Sequence, residues 1–238
     1  ADSTVECRLL APEGYPAPEE GEEPVEDEGE PAEPEFAECE SPVNFTDLID
    51  GEYTFEVKAT NTLGTVGEIA SRSWTVDTVA PVTTINSGPS AATKNTSASF
   101  GFSSDKAGTT FQCQLDDAAP TACTSPVAYT SLGDGNHTVK VRSTDPAGNT
   151  SEWVTRSWSV DTVTPVTTIN AAPSGTVESR AASIEFSSSK SGSSFECKLD
   201  GSDWAACASP VAYTDLANGL HEFRVRATDA LGNVHRVT

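Results

Sequence analysis

The sequence predicts an all-β protein made of tandem antiparallel β-sandwich repeats of 84 residues. Three observations lead to this prediction: an internal repeat, short stretches of alternating apolar and polar residues, and turn residues spaced roughly 8 to 12 positions apart. The repeat is clearest in two stretches, FQCQLDDAAPTACTSPVAYTSLGDGNHTVKVRSTDPAGN at 111–149 and FECKLDGSDWAACASPVAYTDLANGLHEFRVRATDALGN at 195–233.

A further step of 84 residues towards the N-terminus brings Cys39, Phe55 and Trp74 into the register of the later copies. A fixed period of this length indicates stacked copies of one small domain. We therefore predict three repeats, at 1–78, 79–162 and 163–238. We expect an acidic Pro/Glu insertion at 8–38. We also expect the first repeat to lack its opening strands and the third its last strand, as in a window on a longer chain.

The strand signals can be followed in order along the third repeat. Residues 166–169 are rich in β-branched side chains and follow Pro165, so they predict a strand that cannot begin earlier, because proline lacks a backbone N–H. Apolar side chains then alternate through 184–186 and 195–199, which predicts two half-buried strands. The sequence Leu199-Asp-Gly201 predicts a turn in which glycine supplies the positive φ.

The second half of the repeat continues the same pattern. Residues 204–207 predict a return strand, and Phe223, Val225 and Ala227 alternate on a later one. The last strand is visible only in the first two repeats, where it contains Trp74 and Trp158, which we predict to be core residues. About seven short strands per repeat are typical of an immunoglobulin-like or fibronectin-like sandwich.

The six cysteines are distributed as one pair in each repeat. Two pairs repeat a ten-residue step, and the first pair is that step widened by the insertion. An even count without C-x-x-C or histidines at ligand spacing favours disulfides over zinc, and hence an oxidising, extracellular compartment. The predicted bonds are Cys7–Cys39, Cys113–Cys123 and Cys197–Cys207.

The charge distribution and the absence of catalytic motifs argue against two classes of function. The net charge is −22, and 11–40 contains thirteen of the 36 acidic residues with no lysine or arginine, so nucleic acid is not an expected partner. No run of 18 apolar residues is present. The three histidines form no catalytic motif, and His137 and His221 occupy one strand position in two copies. We therefore predict no enzymatic activity.

Two loops, Asp145-Pro-Ala-Gly-Asn149 and Asp229-Ala-Leu-Gly-Asn233, have two interpretations. The first is a hairpin whose aspartate accepts backbone N–H groups and whose glycine takes a positive φ. The second is a calcium site shared with Asp77 or Asp161 at the repeat junction, although each loop offers few of the six to eight oxygens that calcium requires. We expect no cofactor, with calcium as the alternative.

The insertion would be disordered in isolation, because it is rich in proline and glutamate. Its available apolar anchors are Tyr15 and Phe36, and Phe36 takes the register of Trp204. We expect both residues to contact a neighbouring domain or subunit.

A longer pattern is shared by the repeats, F-x-C-x-L-D…C-x-S-P…G-x-H…V-R-x-x-D-x-x-G-N…W-x-V-D. It resembles the Ig-like repeats that occur in tandem in large secreted and surface-attached bacterial proteins. The first repeat departs from it at Tyr53, Asn61 and Thr65, where the pattern has histidine, aspartate and asparagine. The resemblance implies a stalk or fibre role and no reaction.

These observations predict a structural, extracellular or cell-surface segment of a stalk, fibre or filament. Its expected partners are neighbouring repeats or copies of the same protein: either the flanking chain supplies the missing strands, or another copy donates them by β-augmentation. The alternative is an adhesin or a polysaccharide-binding module of a larger secreted protein, which a row of exposed aromatic residues would favour.

Overall fold

The computed structural model describes residues 3–15 and 34–235. These residues form eighteen β-strands and no helix, so the predicted all-β class is confirmed. No helix in the described part of the chain is long and apolar enough to cross a membrane. Most of the acidic insertion, 16–33, lies outside the described residues.

The chain divides into two compact units, which are not the three predicted repeats. Unit 1 comprises Ala1–Val82, Asp105–Thr109 and Ser143–Ser151, and unit 2 comprises Thr83–Ser104, Thr110–Arg142 and Glu152–Thr238. Two loops of the second predicted repeat therefore cluster with the first. The finer repeat boundaries remain a prediction.

Unit 1 contains one antiparallel sheet of four strands in the order β2-β1-β3-β4. Tyr53 is completely buried, and its ring stacks on Trp74 with a centroid distance of 5.6 Å. Gly51 has a φ of 150°, and an added Cβ would lie 2.5 Å from Pro12, so only glycine fits there. The strands are β1 (Thr4–Leu10), β2 (Ala37–Glu38), β3 (Gly51–Thr60) and β4 (Ala70–Val76).

The predicted start of the insertion at Arg8 is wrong, because β1 continues to Leu10 and pairs there with Thr54. Side-chain pairing explains the longer strand, since Arg8 Nε donates to Glu56 Oε2 at 2.7 Å. The insertion in this fold therefore starts after Leu10 and ends before β2.

Unit 2 begins with a two-sheet sandwich. One sheet has the order β10-β7-β5 and the other β6-β12-β11-β8-β9, in which β6 pairs with β12 in parallel. The strands are β5 (Thr83–Ser87), β6 (Ala92–Thr93), β7 (Ala98–Ser104), β8 (Thr110–Leu115), β9 (Thr121–Cys123), β10 (Val127–Tyr129), β11 (Gly135–Thr144) and β12 (Val154–Val160).

The remaining strands of unit 2 repeat this arrangement with sheets β13-β14-β17 and β16-β15-β18. No further strand follows β18 in the described residues. The strands are β13 (Thr167–Ala171), β14 (Ala182–Ser188), β15 (Ser194–Leu199), β16 (Ala205–Cys207), β17 (Val211–Tyr213) and β18 (Phe223–Thr228).

Each sandwich of unit 2 has its own apolar core, supplied by inward-facing residues of both sheets. In the first core Trp158 is buried, as predicted, and its ring lies 4.9 Å from that of Phe100. The second core is smaller and is built around Phe186 and Val225. At these positions alternation along the strands correctly indicated the inward-facing side chains.

Candidate functional site: the repeat junctions

The two Asp-x-x-Gly-Asn loops directly follow β11 and β18 and have the same hairpin geometry. Asp145 Oδ1 accepts the backbone N–H of Asn149 at 2.8 Å, and Asp229 Oδ1 accepts that of Asn233 at 2.8 Å. Gly148 has a φ of 98°. This is the hairpin interpretation of the loops, in which the aspartate side chain bonds its own turn.

The first loop also takes part in a charged cluster that includes a lysine from the β7–β8 loop. Lys106 Nζ lies 2.7 Å from both Oδ1 and Oδ2 of Asp77, 2.9 Å from Asp145 Oδ2, and also contacts the carbonyl oxygen of Val79. Asn149 Nδ2 completes the cluster by donating to the Asp77 carbonyl at 2.8 Å and to Asp145 Oδ2 at 3.1 Å. We call this arrangement a lysine clamp.

A second lysine clamp has the same composition and spacing. Lys190 Nζ lies 2.8 and 2.7 Å from the two carboxylate oxygens of Asp161, 2.5 Å from the Val163 carbonyl and 2.8 Å from Asp229 Oδ2. Asn233 Nδ2 donates to the Asp161 carbonyl at 2.9 Å and to Asp229 Oδ2 at 3.0 Å. In both clamps the lysine is 29 residues from one aspartate and 39 from the other.

The charged groups of each clamp shift one another's pKa values. The Asp145 side chain has no exposed surface, and although burial raises its pKa, Lys106 and Asn149 together lower that pKa to about 2. Lys190, followed by Asn233, likewise lowers the pKa of Asp229. Their aspartate partners raise the pKa of each lysine ammonium. Asp145, Asp229 and the two lysines are therefore ionised around neutral pH.

The structure thus places the four predicted calcium candidates in two pairs, Asp77 with Asp145 and Asp161 with Asp229. The cation between each pair is a lysine ammonium, which the sequence reasoning missed. A signal was available, because Lys106 and Lys190 are the only two of the six lysines that stand 84 residues apart. Within the described residues, no group of three or more His, Cys, Asp or Glu side chains is arranged to hold a metal ion.

The residue before each linker is also hydrogen-bonded to an aspartate of the preceding predicted repeat. Thr78 donates its backbone N–H and its hydroxyl to Asp50 Oδ1 at 3.0 and 2.9 Å. Thr162 donates its backbone N–H to Asp134 Oδ1 at 2.7 Å and its hydroxyl to Asp134 Oδ2 at 3.0 Å. An Asp-Thr pair thus follows each strand that contains a predicted core tryptophan. In both pairs the aspartate side chain contacts the clamp lysine and the threonine side chain bonds an aspartate of the preceding loop.

Histidine forms a second recurring polar contact. His137 Nδ1 lies 2.9 Å from Asp116 Oδ2, and Nε2 lies 2.9 Å from the Gly133 carbonyl oxygen. Both contacts are hydrogen bonds only when the ring is protonated on both nitrogens, and the Gly133 carbonyl and then Asp116 raise the pKa of His137. In the first repeat, Tyr53 replaces histidine and donates its hydroxyl to the Ile49 carbonyl at 2.9 Å.

The aspartates that contact these histidines also correct one turn prediction. Positive φ in the turn after Leu199 belongs to Asp200, at 54°, and not to Gly201; the matching residue in the preceding repeat is Asp116, at 50°. Aspartate is one of the few residues other than glycine that adopt this conformation, and here it is held by a long-range bond, because Asp200 Oδ1 accepts the Glu222 N–H at 2.9 Å.

The structure contains the three disulfides that the sequence predicts, Cys7–Cys39, Cys113–Cys123 and Cys197–Cys207, each with a Cα–Cα distance of 5.8 Å. Each joins neighbouring strands of one sheet, β1 with the end of β2, β8 with β9, and β15 with β16. They therefore strengthen single sheets and do not link the two sheets of a sandwich.

The two predicted contact residues of the insertion pack against strands of their own unit. The Tyr15 ring meets that of Tyr53 edge-on at 5.6 Å. Arg8 and Lys58 lie over the Phe36 ring, at 4.7 and 4.3 Å from its centroid. Lys198 and Arg226 lie over Trp204 in the same way, in keeping with the predicted register of the two aromatic residues.

No protein-family model matches the chain, and no curated protein matches it. Solved structures similar to it include the chicken CNTN1 FN1–FN3 domains, with 14% identity over 97% of this chain and 84% of that chain and a TM-score of 0.31. The tetra-tandem repeat in the extending region of a large adhesion protein is 17% identical over 98% of this chain and 64% of that chain, with a TM-score of 0.32. A biofilm-associated protein's BSP domain is 11% identical over 78% and 40%, with a TM-score of 0.25. Likenesses with TM-scores this low carry no argument about function.

Proposed function

We propose that the chain is a structural segment of an extracellular repeat protein, a stretch of a surface stalk or fibre whose repeats are joined stiffly. The observation that carries this proposal is the lysine clamp, which recurs with the same residues and spacing at both predicted junctions. The three disulfides support an oxidising, extracellular location.

The expected stiffness of the junctions follows from the contacts that the clamps make with the linkers. The linkers, 79–81 and 163–165, are short and end in proline, which limits their backbone freedom. In each clamp the lysine contacts the first linker carbonyl and the aspartate two residues before it, and the asparagine contacts that aspartate's carbonyl. A linker bonded at consecutive residues has little freedom to bend.

The alternative, a polysaccharide-binding module, would require aromatic faces open to a sugar ring. Arg142 lies over Trp153 at 4.6 Å from its centroid, and Arg226 lies over Trp204 at 4.6 Å. At least one face of each of these rings is therefore covered by a cation, which favours a structural use of the aromatic residues.

Small-angle X-ray scattering of the full chain tests the proposal. We expect Lys106→Met and Lys190→Met, combined, to broaden the distribution of interatomic distances, because the linkers lose their charged contacts while the hydrophobic stems are kept. Lys140→Met on β11 is the matched control and should leave the scattering unchanged. Identical curves for wild type and the double variant would contradict a stiffening role.

A further inference from the structure

We infer that Lys106 and Lys190 are built-in substitutes for a junction cation, so that each oxygen cage would bind a small free cation once its lysine is shortened. The inference rests on the proposed function, since it names the source of positive charge at the junction. It also makes the wild-type junction independent of divalent metal ions.

The first argument is the set of oxygens around each ammonium group. In the second clamp, three carboxylate oxygens and one backbone carbonyl lie 2.5 to 2.8 Å from a single Nζ atom. Carboxylate and carbonyl oxygens are also the ligands of hard cations, with water completing the six to eight that calcium takes. Two aspartates carry two negative charges and the ammonium carries one positive charge, so a divalent ion would balance the cage fully.

The second argument is that most of the cage is held without the lysine. Asp229 Oδ1 accepts the backbone N–H groups of Leu231 and Asn233 at 3.0 and 2.8 Å. Asn233 Nδ2 bonds both Asp229 Oδ2 and the Asp161 carbonyl. These bonds keep the two aspartates together when the ammonium is removed, and Asp229 would then be a nearly buried carboxylate without its counter-ion.

The third argument comes from the loop of the first repeat, which serves as an internal control. There Asn61 takes the position of aspartate, and its Oδ1 accepts the N–H groups of Leu63 and Thr65 at 3.0 and 2.9 Å. The hairpin thus forms with a neutral cap and does not itself require a charge. The turn needs only the Oδ1 acceptor, whereas the negative charge is present in the two loops where a lysine meets it, which ties that charge to cation binding.

The test is thermal unfolding of the full chain in chelator and in millimolar calcium chloride, for wild type, Lys190→Ala and Lys190→Met. We expect the wild-type Tm to be the same in both solutions. Lys190→Ala should unfold at a lower temperature in chelator and regain about 5 °C or more with calcium, because ligand that binds only the folded state stabilises it. Lys190→Met should be destabilised without rescue, since its side chain fills the cage without charge.

Lys140→Ala is the matched control and should show no calcium response. Destabilisation of Lys190→Ala without rescue would overturn the inference, because the cage would then not exist without its lysine. A calcium shift of more than about 10 °C in wild type would also overturn it, because a free metal would act beside the lysine. If Lys190→Ala does not fold in chelator, refolding in calcium measures the same rescue. Neither result depends on the scattering experiment, so the two proposals can fail separately.

Discussion

Removal of the disulfides one at a time should destabilise the repeats by amounts that depend on ring size. The bonds Cys113–Cys123 and Cys197–Cys207 close separations of 10 residues, whereas Cys7–Cys39 closes 32. The perturbation is a pair of Cys→Ala substitutions for each bond. In every pair one cysteine is buried and the other is half-buried, so the cavities left behind are similar.

The chain-entropy relation gives the magnitudes. A closed loop of 10 residues contributes about 2.7 kcal/mol at 25 °C, and one of 32 residues about 3.7 kcal/mol, through the restricted unfolded state. Loss of the long ring should therefore cost about 1 kcal/mol more than loss of either short one. For domains of this size, 1 kcal/mol corresponds to about 4–8 °C in Tm.

The assay is hydrogen exchange with mass spectrometry along a denaturant series, which reads the free energy of opening separately in β3, β11 and β18. The two short-ring variants are controls for each other and should lose equal stability in their own repeats. Equal losses for the short and long rings, or a smaller loss for Cys7→Ala with Cys39→Ala, would refute the entropic reasoning.

Two further predictions concern the polar and apolar parts of the sandwiches. The pKa of His137 is raised above its ordinary value of about 6.5. The stabilisation from His137 should therefore be complete below that pH and lost as pH rises through the folded-state pKa. Urea unfolding from pH 5 to 9 should show this slope in wild type and a flatter profile in His137→Gln; parallel profiles would contradict it. Phe100 is fully buried against Trp158, so Phe100→Ala should cost about 3–5 kcal/mol by denaturant unfolding, whereas the exposed Val82→Ala should change stability by less than about 0.5 kcal/mol.

Local patterns predicted much of the fold because they report directly on which side chains face inward. Alternation at Ile184 and Phe186 correctly predicted a strand with both residues in the core. Alternation was less informative at the insertion, where it did not reveal that β1 continues through Leu10. The pairing of Arg8 with Glu56, 48 residues away, stabilises that extension, and no local window contains both residues.

The turn after Leu199 shows a different limit. Glycine is the usual residue at positive φ, so the sequence favoured Gly201. The structure gives that conformation to Asp200, because its carboxylate bonds His221 and the Glu222 N–H, which directly precede β18. Long-range hydrogen bonds can therefore outweigh the local preference of glycine.

By itself, the sequence determined the 84-residue repeat, the all-β class and the pairing of cysteines, since each depends on the spacing of residues along the chain. Only the tertiary structure decided what lies between the aspartates of each junction. Lys106 stands 29 residues from Asp77 and 39 from Asp145, and those three side chains meet only when two loops and a linker fold together. Charge pairing across such separations depends on packing, and for that reason the contact of each lysine with the calcium candidates appears only in the fold.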